Sequence, residues 1–188
     1  MSYYKHETAI VESNSIGEGT KIWHFAHVRA RSRIGKECNI GKSVYIDIDV
    51  MIGDRVKIQN FVSVYKGVTI EDDVFVGPAV TFTNDLYPRA ARWDEEDLVS
   101  SVVRNGASIG ANSTIICGVE IGMYAMIGAG SVVTKDVPPF GLVAGNPATL
   151  KGYVCYCGRK LKKEVKADTK KTVLTCVYCG KKVEIINR

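Results

Sequence analysis

Aliphatic residues recur at every sixth position along most of this 188-residue chain. Before a single interruption they are Ile16, Ile22, Val28, Ile34, Ile40, Ile46, Ile52, Ile58, Val64, Ile70 and Val76, with Phe82 in the next slot; after it they are Val103, Ile109, Ile115, Ile121, Ile127 and Val133. A helix would repeat about every 3.6 residues and an open strand about every 2. A period of six instead predicts a short strand followed by a corner, repeated many times, which is typical of a β-helix.

Small or β-branched residues stand four positions after the aliphatic ones, as at Thr20 and Ala26, and we expect both sets to point into a narrow core. Glycines 18 residues apart, at Gly17, Gly35 and Gly53, indicate three hexapeptides per coil and hence a triangular prism. We expect these glycines at corners, where a positive φ costs them little. Residue n then stacks on residue n+18, and each coil buries its inner face only against its neighbours. An antiparallel sandwich would require this spacing to be a coincidence.

Residues 83–102 interrupt the repeat, because Val103 stands 21 positions after Phe82 where the period allows six. A β-helix tolerates insertions only at corners, since its walls must stack, and a long loop in a compact domain is more often functional than idle. The insert includes Pro88, Trp93 and five acidic residues. The alternative is a solvated loop without chemistry, and we assign its acidic residues no role.

The composition is that of an ordinary soluble protein, with 46% hydrophobic and 24% charged residues. No apolar run approaches the roughly 20 residues that cross a bilayer, and the N-terminus lacks a signal pattern. We therefore expect a cytoplasmic protein without a membrane partner. Residues 152–188 hold ten Lys+Arg and three acids (+7), while the remaining 15 Lys+Arg and 17 acids leave the first 151 residues at −2. This balance does not require a nucleic-acid partner, and we expect none.

Four cysteines within residues 152–188, Cys155, Cys157, Cys176 and Cys179, form two pairs, each followed by a glycine. The pairs resemble a zinc ribbon, although the first is C-x-C rather than C-x-x-C. Four thiolates suit a structural, tetrahedral Zn²⁺ site, and so short a segment needs such support. Iron in the same cage remains an alternative, whereas disulfides are disfavoured in a cytosolic protein.

The repeat Ile-Gly-x-x-x-x, as in IGKECN and IGANST, resembles that of the left-handed β-helix hexapeptide acyltransferases over about residues 9–151. The segment GAGSVVTKDVPPFGLVAGNPATLKG is similar to the terminal coil of that family. The stretches IWHFAHVRARSRIG, VYKGVTIEDDVFVGPAVTFTND and YPRA resemble the subgroup that N-acetylates nucleotide-linked 3-amino sugars. The resemblance implies left-handed coils, a homotrimer with sites between subunits, acetyl-CoA as the acetyl donor, and an insert that forms one wall of the active site.

Together these patterns predict an all-β chain of two parts. Residues 1–151 form a left-handed parallel β-helix acetyltransferase domain with the inserted loop at 83–102, and residues 152–188 form a small zinc-ribbon-like module. The leading prediction for its function is transfer of acetyl from acetyl-CoA to the 3-amino group of a UDP-linked 3-amino-2,3-dideoxy uronic acid, for surface polysaccharide (lipopolysaccharide) synthesis.

Asn84 is the predicted catalytic residue. Its amide could accept a hydrogen bond from the substrate amine and so aim the nitrogen at the thioester carbonyl. The alternative is a turn residue that bonds its own backbone. The insert has no histidine to act as a base, and the chain has only three, His6, His24 and His27. This suits an amine acceptor better than a hydroxyl acceptor, which needs deprotonation more.

The predicted substrate contacts lie mostly in the early coils. They are His24, His27, Arg29, Arg31, Asn60 and Lys66. Arginine suits phosphates and a carboxylate, and Lys66 stacks under Asn84 because 66 plus 18 is 84. The histidines could instead be ordinary surface residues, and both arginines could be solvated.

The resemblance places CoA in a groove between prisms near the later coils. Small residues there would let backbone groups meet the pantetheine amides, and two lysines could meet the phosphates, unless they serve solubility alone. The predicted cofactor-binding residues are Gly110, Ala111, Ala125, Gly128, Ala129, Lys135 and Lys151.

Three other functions compete with the leading prediction. The same fold could acetylate a dTDP-linked 3-amino-3,6-dideoxyhexose, which lacks the carboxylate. A non-catalytic scaffold could bind protein or nucleic acid through its ribbon, in a salt-sensitive manner. A zinc carbonic anhydrase on this fold would need three well-separated histidines, and only His24 and His27 lie within the coils, so we reject it.

Overall fold

The computed structural model describes residues 2–92, 94–162 and 171–186, so Trp93 and part of the basic tail lie outside the described residues. Within those ranges the chain forms short strands and a single 3-10 turn at Glu95–Asp97. The strands are β1 Tyr4–Lys5, β2 Ile10–Val11, β3 Ser15–Ile16, β4 Lys21–Ile22, β5 His27–Val28, β6 Arg33–Ile34, β7 Asn39–Ile40, β8 Tyr45–Ile46, β9 Met51–Ile52, β10 Lys57–Ile58, β11 Ser63–Val64, β12 Val68–Ile70, β13 Phe75–Val76, β14 Thr81–Phe82, β15 Ser101–Val103, β16 Ser108–Ile109, β17 Thr114–Ile115, β18 Glu120–Ile121, β19 Met126–Ile127, β20 Val132–Val133, β21 Gly141–Gly145, β22 Ala148–Tyr153, β23 Lys171–Thr175 and β24 Lys182–Ile186.

Three sheets form the faces of the prism, and consecutive strands move from one face to the next. The first face has the order β1-β4-β7-β10-β13-β16-β19-β21-β22, the second β2-β5-β8-β11-β14-β17-β20, and the third β18-β15-β12-β9-β6-β3. Apart from the final pair, β21 and β22, neighbouring strands are parallel. Before the insert, residue n pairs with residue n+18, as Ile40 does with Ile58 and Ile58 with Val76. The predicted parallel β-helix with three hexapeptides per coil is therefore confirmed.

The aliphatic position of each hexapeptide lies inside the prism. Ile22, Ile40 and Ile58 form one such column and have no exposed surface. Each buried side chain of this size contributes roughly 1.5–3 kcal/mol. The small position four residues later is also buried, and where it is polar the hydroxyl has a partner: Thr20 Oγ1 donates to the Gly35 carbonyl over 2.8 Å.

The repeated glycines are required for a different reason from the one the sequence suggested. Gly17, Gly35 and Gly53 do not have positive φ, whereas non-glycine corner residues such as Glu37 and Arg55 do, at 55° and 56°. A Cβ on Gly35 would lie 2.5 Å from the Gly53 carbonyl carbon and 2.3 Å from Asp54 Oδ1. This column of glycines is therefore required because successive coils approach closely, and not because the backbone adopts a conformation that only glycine favours.

The chain leaves the prism through an antiparallel pair. β22 pairs with β21 at the end of the first face and spans the predicted boundary at residue 151. Beyond it, β23 and β24 form a separate two-stranded sheet. A second hydrophobic cluster joins this segment to the prism, and its buried members are Phe140, Cys155, Leu161, Leu174, Cys176, Val183 and Ile185. The last coil of the prism therefore shares a core with the C-terminal segment.

The described residues contain no helix that is long and apolar enough to span a bilayer.

Candidate active site

The insert connects two faces of the prism. The chain leaves the second face after β14, at Phe82, and returns in β15 on the third face, whose register pairs Val103 with Ile70. Regular stacking would instead place Pro88, 18 residues after Ile70, beside it. Val103 takes that place, so the extra residues of the insert lie outside the stacked coil, at a corner of the prism. The first strand after it begins at Ser101, and the end of the predicted insert at residue 102 therefore already belongs to the third face.

The two legs of the insert run side by side. Asp85 and Leu98 form an antiparallel bridge, and so do Arg89 and Arg92 further out. The returning leg contains the 3-10 turn, where Asp94 Oδ1 accepts a hydrogen bond from the Glu96 N–H over 3.0 Å. Such capping satisfies a donor at the start of the turn. The insert is thus an ordered protrusion with its base on the edge between the second and third faces.

Asn84 stands at the base of the outgoing leg and is held on several sides. Its Nδ2 donates to the Lys66 carbonyl over 3.2 Å, and its own carbonyl accepts from the Val99 N–H over 2.9 Å. The preceding residue, Thr83, is tied to the next coil, where its Oγ1 accepts from the Cys117 N–H over 3.0 Å. Because Nδ2 donates to a backbone carbonyl, the orientation of the side-chain amide is determined, and Oδ1 remains available as a hydrogen-bond acceptor.

Lys66 lies next to Asn84, as the stacking rule predicted, but its ammonium is already paired. Its Nζ forms an ion pair with Glu95 of the insert, and its side chain is 27% exposed. Its backbone N–H donates to Asp47 Oδ2 over 3.3 Å. Sequence reasoning missed Glu95, and no sequence signal separated it from the other acidic residues of the insert, because its partner stands far earlier in the chain.

Arg29 and Arg31 lie on the same edge and are also paired with acidic residues. Arg31 makes a bidentate contact with Asp49, at 2.7 and 2.9 Å, and this contact lowers the pKa of Asp49. Arg29 donates to the Tyr45 hydroxyl over 3.1 Å and lies 3.4 Å from Glu12.

His27 lies on the second face itself. Its Nε2 is 2.9 Å from Glu12 Oε1, and this hydrogen bond is the main cause of a lowered Glu12 pKa, with the Ala30 N–H as the next contributor. The ring also meets Tyr45 edge-on, with centroids 5.8 Å apart.

His24 and Asn60 lie on a different edge, between the first and second faces, because each follows a first-face strand. The His24 ring stacks on His6 with centroids 3.5 Å apart. Asn60 Oδ1 accepts from the Lys42 N–H over 2.9 Å, so its amide already supports the preceding coil. Within one chain, therefore, the structure does not bring these two residues together with Asn84.

Four of the predicted cofactor-binding residues share that edge between the first and second faces. Gly110 and Ala111 follow β16, and Gly128 and Ala129 follow β19 in the next coil. A Cβ on Gly110 would lie 2.5 Å from the Ala129 nitrogen, so the coils approach closely here.

The other three predicted cofactor-binding residues lie elsewhere. Lys135 is exposed after β20, on the edge that carries Asn84, and Lys151 is exposed in β22. Ala125 is 1% exposed, and its backbone is bonded within the prism: its N–H donates to the Gly122 carbonyl, and its carbonyl accepts from the Ser108 N–H. It occupies the inward position four residues after Ile121, so its side chain cannot reach a ligand outside the prism, and we leave it out of the cofactor surface.

The four C-terminal cysteines converge. Their Sγ atoms all lie within 4.8 Å of one another, with Cys155 3.5 Å from Cys179 and Cys157 3.8 Å from Cys176. Backbone N–H groups of Tyr178 and Cys179 lower the pKa of Cys176. These separations are far longer than the roughly 2.05 Å of a disulfide and close to the roughly 3.8 Å edge of a tetrahedron with Zn–S bonds of about 2.3 Å.

Two similar turns hold the cysteines in place. The Cys155 N–H donates to the Arg159 carbonyl over 2.9 Å, and the Cys176 N–H donates to the Lys181 carbonyl over 2.9 Å. The first turn is one residue shorter, as its C-x-C spacing requires. Gly158 and Gly180 have φ of 78° and 71°, a region that strains other residues. The unusual spacing is therefore compatible with a four-sulfur cage.

Comparison with known proteins places this architecture in a family. The family described as "Bacterial transferase hexapeptide (six repeats)" matches residues 49–84 and 100–135. The dTDP-3-amino-3,6-dideoxy-alpha-D-galactopyranose 3-N-acetyltransferase of Aneurinibacillus thermoaerophilus is 50% identical over 159 residues, which cover 85% of this chain and 82% of that protein.

Two solved structures are similar in both fold and sequence. A mutant GDP-perosamine N-acetyl transferase from Caulobacter crescentus, in complex with CoA and GDP-perosamine, matches with a TM-score of 0.61 and 27% identity over 73% of this chain and 58% of that one. A hexapeptide-repeat acetyltransferase from Vibrio cholerae O1 biovar eltor, complexed with acetyl coenzyme A, matches with a TM-score of 0.53 and 25% identity over 73% and 72% of the two chains. With this repeat, this fold and so similar a relative over most of its length, the chain belongs to the bacterial hexapeptide-repeat transferase family.

Proposed function

We propose that this protein transfers the acetyl group of acetyl-CoA to the 3-amino group of a dTDP-linked 3-amino-3,6-dideoxyhexose. The observation that carries the proposal is the 50% identity, over 85% of the chain, to an enzyme named for that reaction. The leading prediction from the sequence was a UDP-linked uronic acid, and the dTDP-linked sugar was its alternative. The relative favours the alternative.

The charges near Asn84 also favour a sugar without a carboxylate. Arg29, Arg31 and Lys66 are the basic residues among the predicted substrate contacts. Each is paired with a carboxylate of the chain itself: Arg29 with Glu12, Arg31 with Asp49, and Lys66 with Glu95. A sugar carboxylate placed here would also be repelled by these acidic groups, whereas an uncharged 6-methyl group would not.

Asn84 supplies the positioning that the reaction needs. Its Oδ1 accepts a hydrogen bond from the substrate amine, which directs the nitrogen lone pair towards the thioester carbonyl. The new N–C bond forms as the C–S bond breaks, and a proton leaves the nitrogen while the thiolate of CoA gains one. The insert has no histidine, and we propose that the neutral amine reacts without a side-chain base and releases its proton to solvent.

Acetyl-CoA supplies the activated acetyl group. We propose that it lies along the edge formed by Gly110, Ala111, Gly128 and Ala129, where the close stacking of small residues leaves backbone groups accessible. Lys135 and Lys151 remain proposed phosphate contacts. The two solved relatives described above were crystallised with CoA or acetyl-CoA, which supports the assignment of the donor.

A second copy of the chain would complete the site. On one chain, Asn84 and the proposed CoA surface lie on different edges of the prism, with His24 and Asn60 on the CoA edge. If the edge that carries Asn84 in one prism packs against the CoA edge of the next, Asn84 meets the proposed CoA surface of the neighbouring subunit. We therefore propose the homotrimer that the family resemblance implies, with each site between adjacent subunits, and keep His24, His27 and Asn60 as proposed substrate contacts.

We further propose that Cys155, Cys157, Cys176 and Cys179 hold a structural Zn²⁺. The sulfur separations fit a tetrahedral cage, and all four cysteines are free thiols. Two of them, Cys155 and Cys176, belong to the hydrophobic cluster that includes Phe140. The metal would therefore stabilise the segment that covers the last coil.

The test of the proposed reaction is thiol release from acetyl-CoA with UDP- and dTDP-linked 3-amino and 4-amino sugars. We expect release with a dTDP-linked 3-amino-3,6-dideoxyhexose, at a kcat/KM at least about tenfold above that with the UDP-linked uronic acid. A preference for the uronic acid would restore the leading sequence prediction. No release with any sugar, from a correctly assembled protein, would favour another acceptor or the scaffold function.

A further inference from the structure

Both legs of the insert are anchored on one residue, Lys66. The outgoing leg is attached through the Asn84 amide, which donates to the Lys66 carbonyl over 3.2 Å. The returning leg is attached through Glu95, whose carboxylate pairs with Lys66 Nζ. Between these two points the legs also bond to each other, through the Val99 N–H and the Asn84 carbonyl at 2.9 Å. These three contacts, together with the main chain from Glu95 to Val99, close a ring that includes Asn84 and Lys66.

The surroundings of Lys66 support this arrangement. Asp47 accepts the Lys66 backbone N–H, which holds the main chain of this corner. Asp49 is occupied by Arg31 in a bidentate pair, which leaves Glu95 as the carboxylate that pairs directly with the ammonium among the described residues. Arg31 and Lys66 both attract the Glu95 charge, because they stand on the same edge of the prism.

Glu95 is also the one member of its turn placed to make this contact. The 3-10 turn Glu95–Asp97 begins at the Asp94 cap, and its last residue, Asp97, pairs with Arg92 at 3.4 Å. Glu96 has no ion pair within the described part of the chain. Neighbouring acidic side chains in the same turn therefore have different environments, and Glu96 offers a matched control.

We propose that Glu95 is a positioning residue for acetyl transfer: its ion pair with Lys66 holds the returning leg of the insert so that Asn84 Oδ1 points at the substrate amine. This inference rests on the proposed role of Asn84. It reassigns the Lys66 ammonium from substrate contact to an internal anchor. An exposed ion pair is weak alone, but a small displacement of a reacting group can slow a reaction by about a hundredfold.

Charge exchange tests the proposal. We expect Glu95→Lys and Lys66→Glu each to lower kcat about tenfold or more, with a smaller change in KM for the sugar, because like charges then face each other. The double variant Lys66→Glu, Glu95→Lys should recover most of the lost kcat. Glu96→Lys introduces the same charge change one residue away and should leave kcat within about twofold. A double variant no better than Lys66→Glu alone would overturn the proposal and return Lys66 to the substrate.

A measurement that needs no acetyl transfer separates this proposal from the proposed function. Trypsin can cleave the insert after the exposed Arg89 and Arg92. We expect Glu95→Gln to accelerate this cleavage about threefold or more relative to the unmodified protein, and Glu96→Gln to leave it unchanged. Equal cleavage of the two variants would overturn the anchoring role. Faster cleavage together with an unchanged kcat would overturn the positioning role. If no sugar is acetylated, the proposed function fails while the cleavage rates still decide whether the anchor exists.

Discussion

The side-chain amide of Asn84 donates a hydrogen bond to the backbone carbonyl of Lys66, 18 residues earlier and 3.2 Å away. The contact joins the first residues of an irregular insert to the regular stacking of the prism. It occupies the donor side of the amide and leaves the acceptor side available. A residue type common in turns thereby becomes an oriented acceptor beside a protruding loop.

Replacement of Asn84 by alanine should affect catalysis more than stability. We expect Asn84→Ala to lower kcat about a hundredfold, because the amine is no longer directed at the thioester. The matched control is Asn105→Ala, since Asn105 Nδ2 makes the same kind of bond, to the Asp72 carbonyl over 3.1 Å, away from the insert. Steady-state kinetics with each variant would check this. Equal losses in both would mean that only the backbone support matters.

The glycine column should tolerate no side chain. We expect Gly35→Ala to lower the free energy of unfolding by roughly 2 kcal/mol or more, because the new Cβ meets the Gly53 backbone. Gly130→Ala is the control: it has φ of 69° but nothing within 4 Å of a new Cβ, so only the cost of the left-handed conformation applies, about 1 kcal/mol. Urea unfolding of both variants measures the difference. A larger loss at Gly130 would show that conformation, and not close approach, selects glycine here.

Truncation of the aliphatic column should destabilise the prism. Ile58 has no exposed surface and pairs with Ile40 below and Val76 above. We expect Ile58→Ala to lower the free energy of unfolding by about 2–5 kcal/mol, through lost burial and a residual cavity. The neighbouring side chain of Lys57 is exposed, and Lys57→Ala should change stability by less than about 0.5 kcal/mol. Thermal unfolding of the two variants would compare them, and similar Tm values would contradict the packing argument.

The C-terminal cysteines should bind one metal ion per chain. We expect elemental analysis to find about one Zn²⁺ per chain in the purified protein, reduced by more than half in Cys157→Ser. Cys38→Ser is the control, since Cys38 is buried in the prism, where its Sγ lies 3.1 Å from the Gly53 carbonyl oxygen. Iron in place of zinc would keep the cage but change the metal. Equal zinc in both variants would contradict the four-cysteine site.

Acid should weaken an ion pair between two coils at a corner of the prism. Arg55 makes a bidentate contact with Asp73, at 2.7 and 2.8 Å, which holds the pKa of Asp73 below its ordinary 3.8. A carboxylate whose pKa is lowered on folding stabilises the fold above its unfolded pKa, and this contribution is lost as the pH falls through the folded pKa. We therefore expect Tm to decline below about pH 4. Asp73→Asn should show a shallower decline; an identical slope in both proteins would exclude Asp73 as a source.

The sequence alone determined the fold of this protein because its repeat is local and periodic. An aliphatic residue every six positions defines the strand, and a coil of three hexapeptides then follows for every column, so that Ile58 stacks on Ile40 and Lys66 comes to lie beside Asn84. The cysteine spacing likewise indicated a four-sulfur cluster, since the ligands of such a site are recognisable by type.

The tertiary structure decided the contacts that do not follow from the sequence repeat. The contact of Glu95 with Lys66 joins positions distant in sequence across an irregular loop, and no spacing rule predicts which acidic residue of the insert makes it. The separation of His24 and Asn60 from Asn84 depends on which edge of the prism each residue occupies. Close packing, in turn, explains the glycine column and places Ala125 inside the core. These outcomes depend on distances between chain segments in three dimensions, which hydrophobic patterning does not encode.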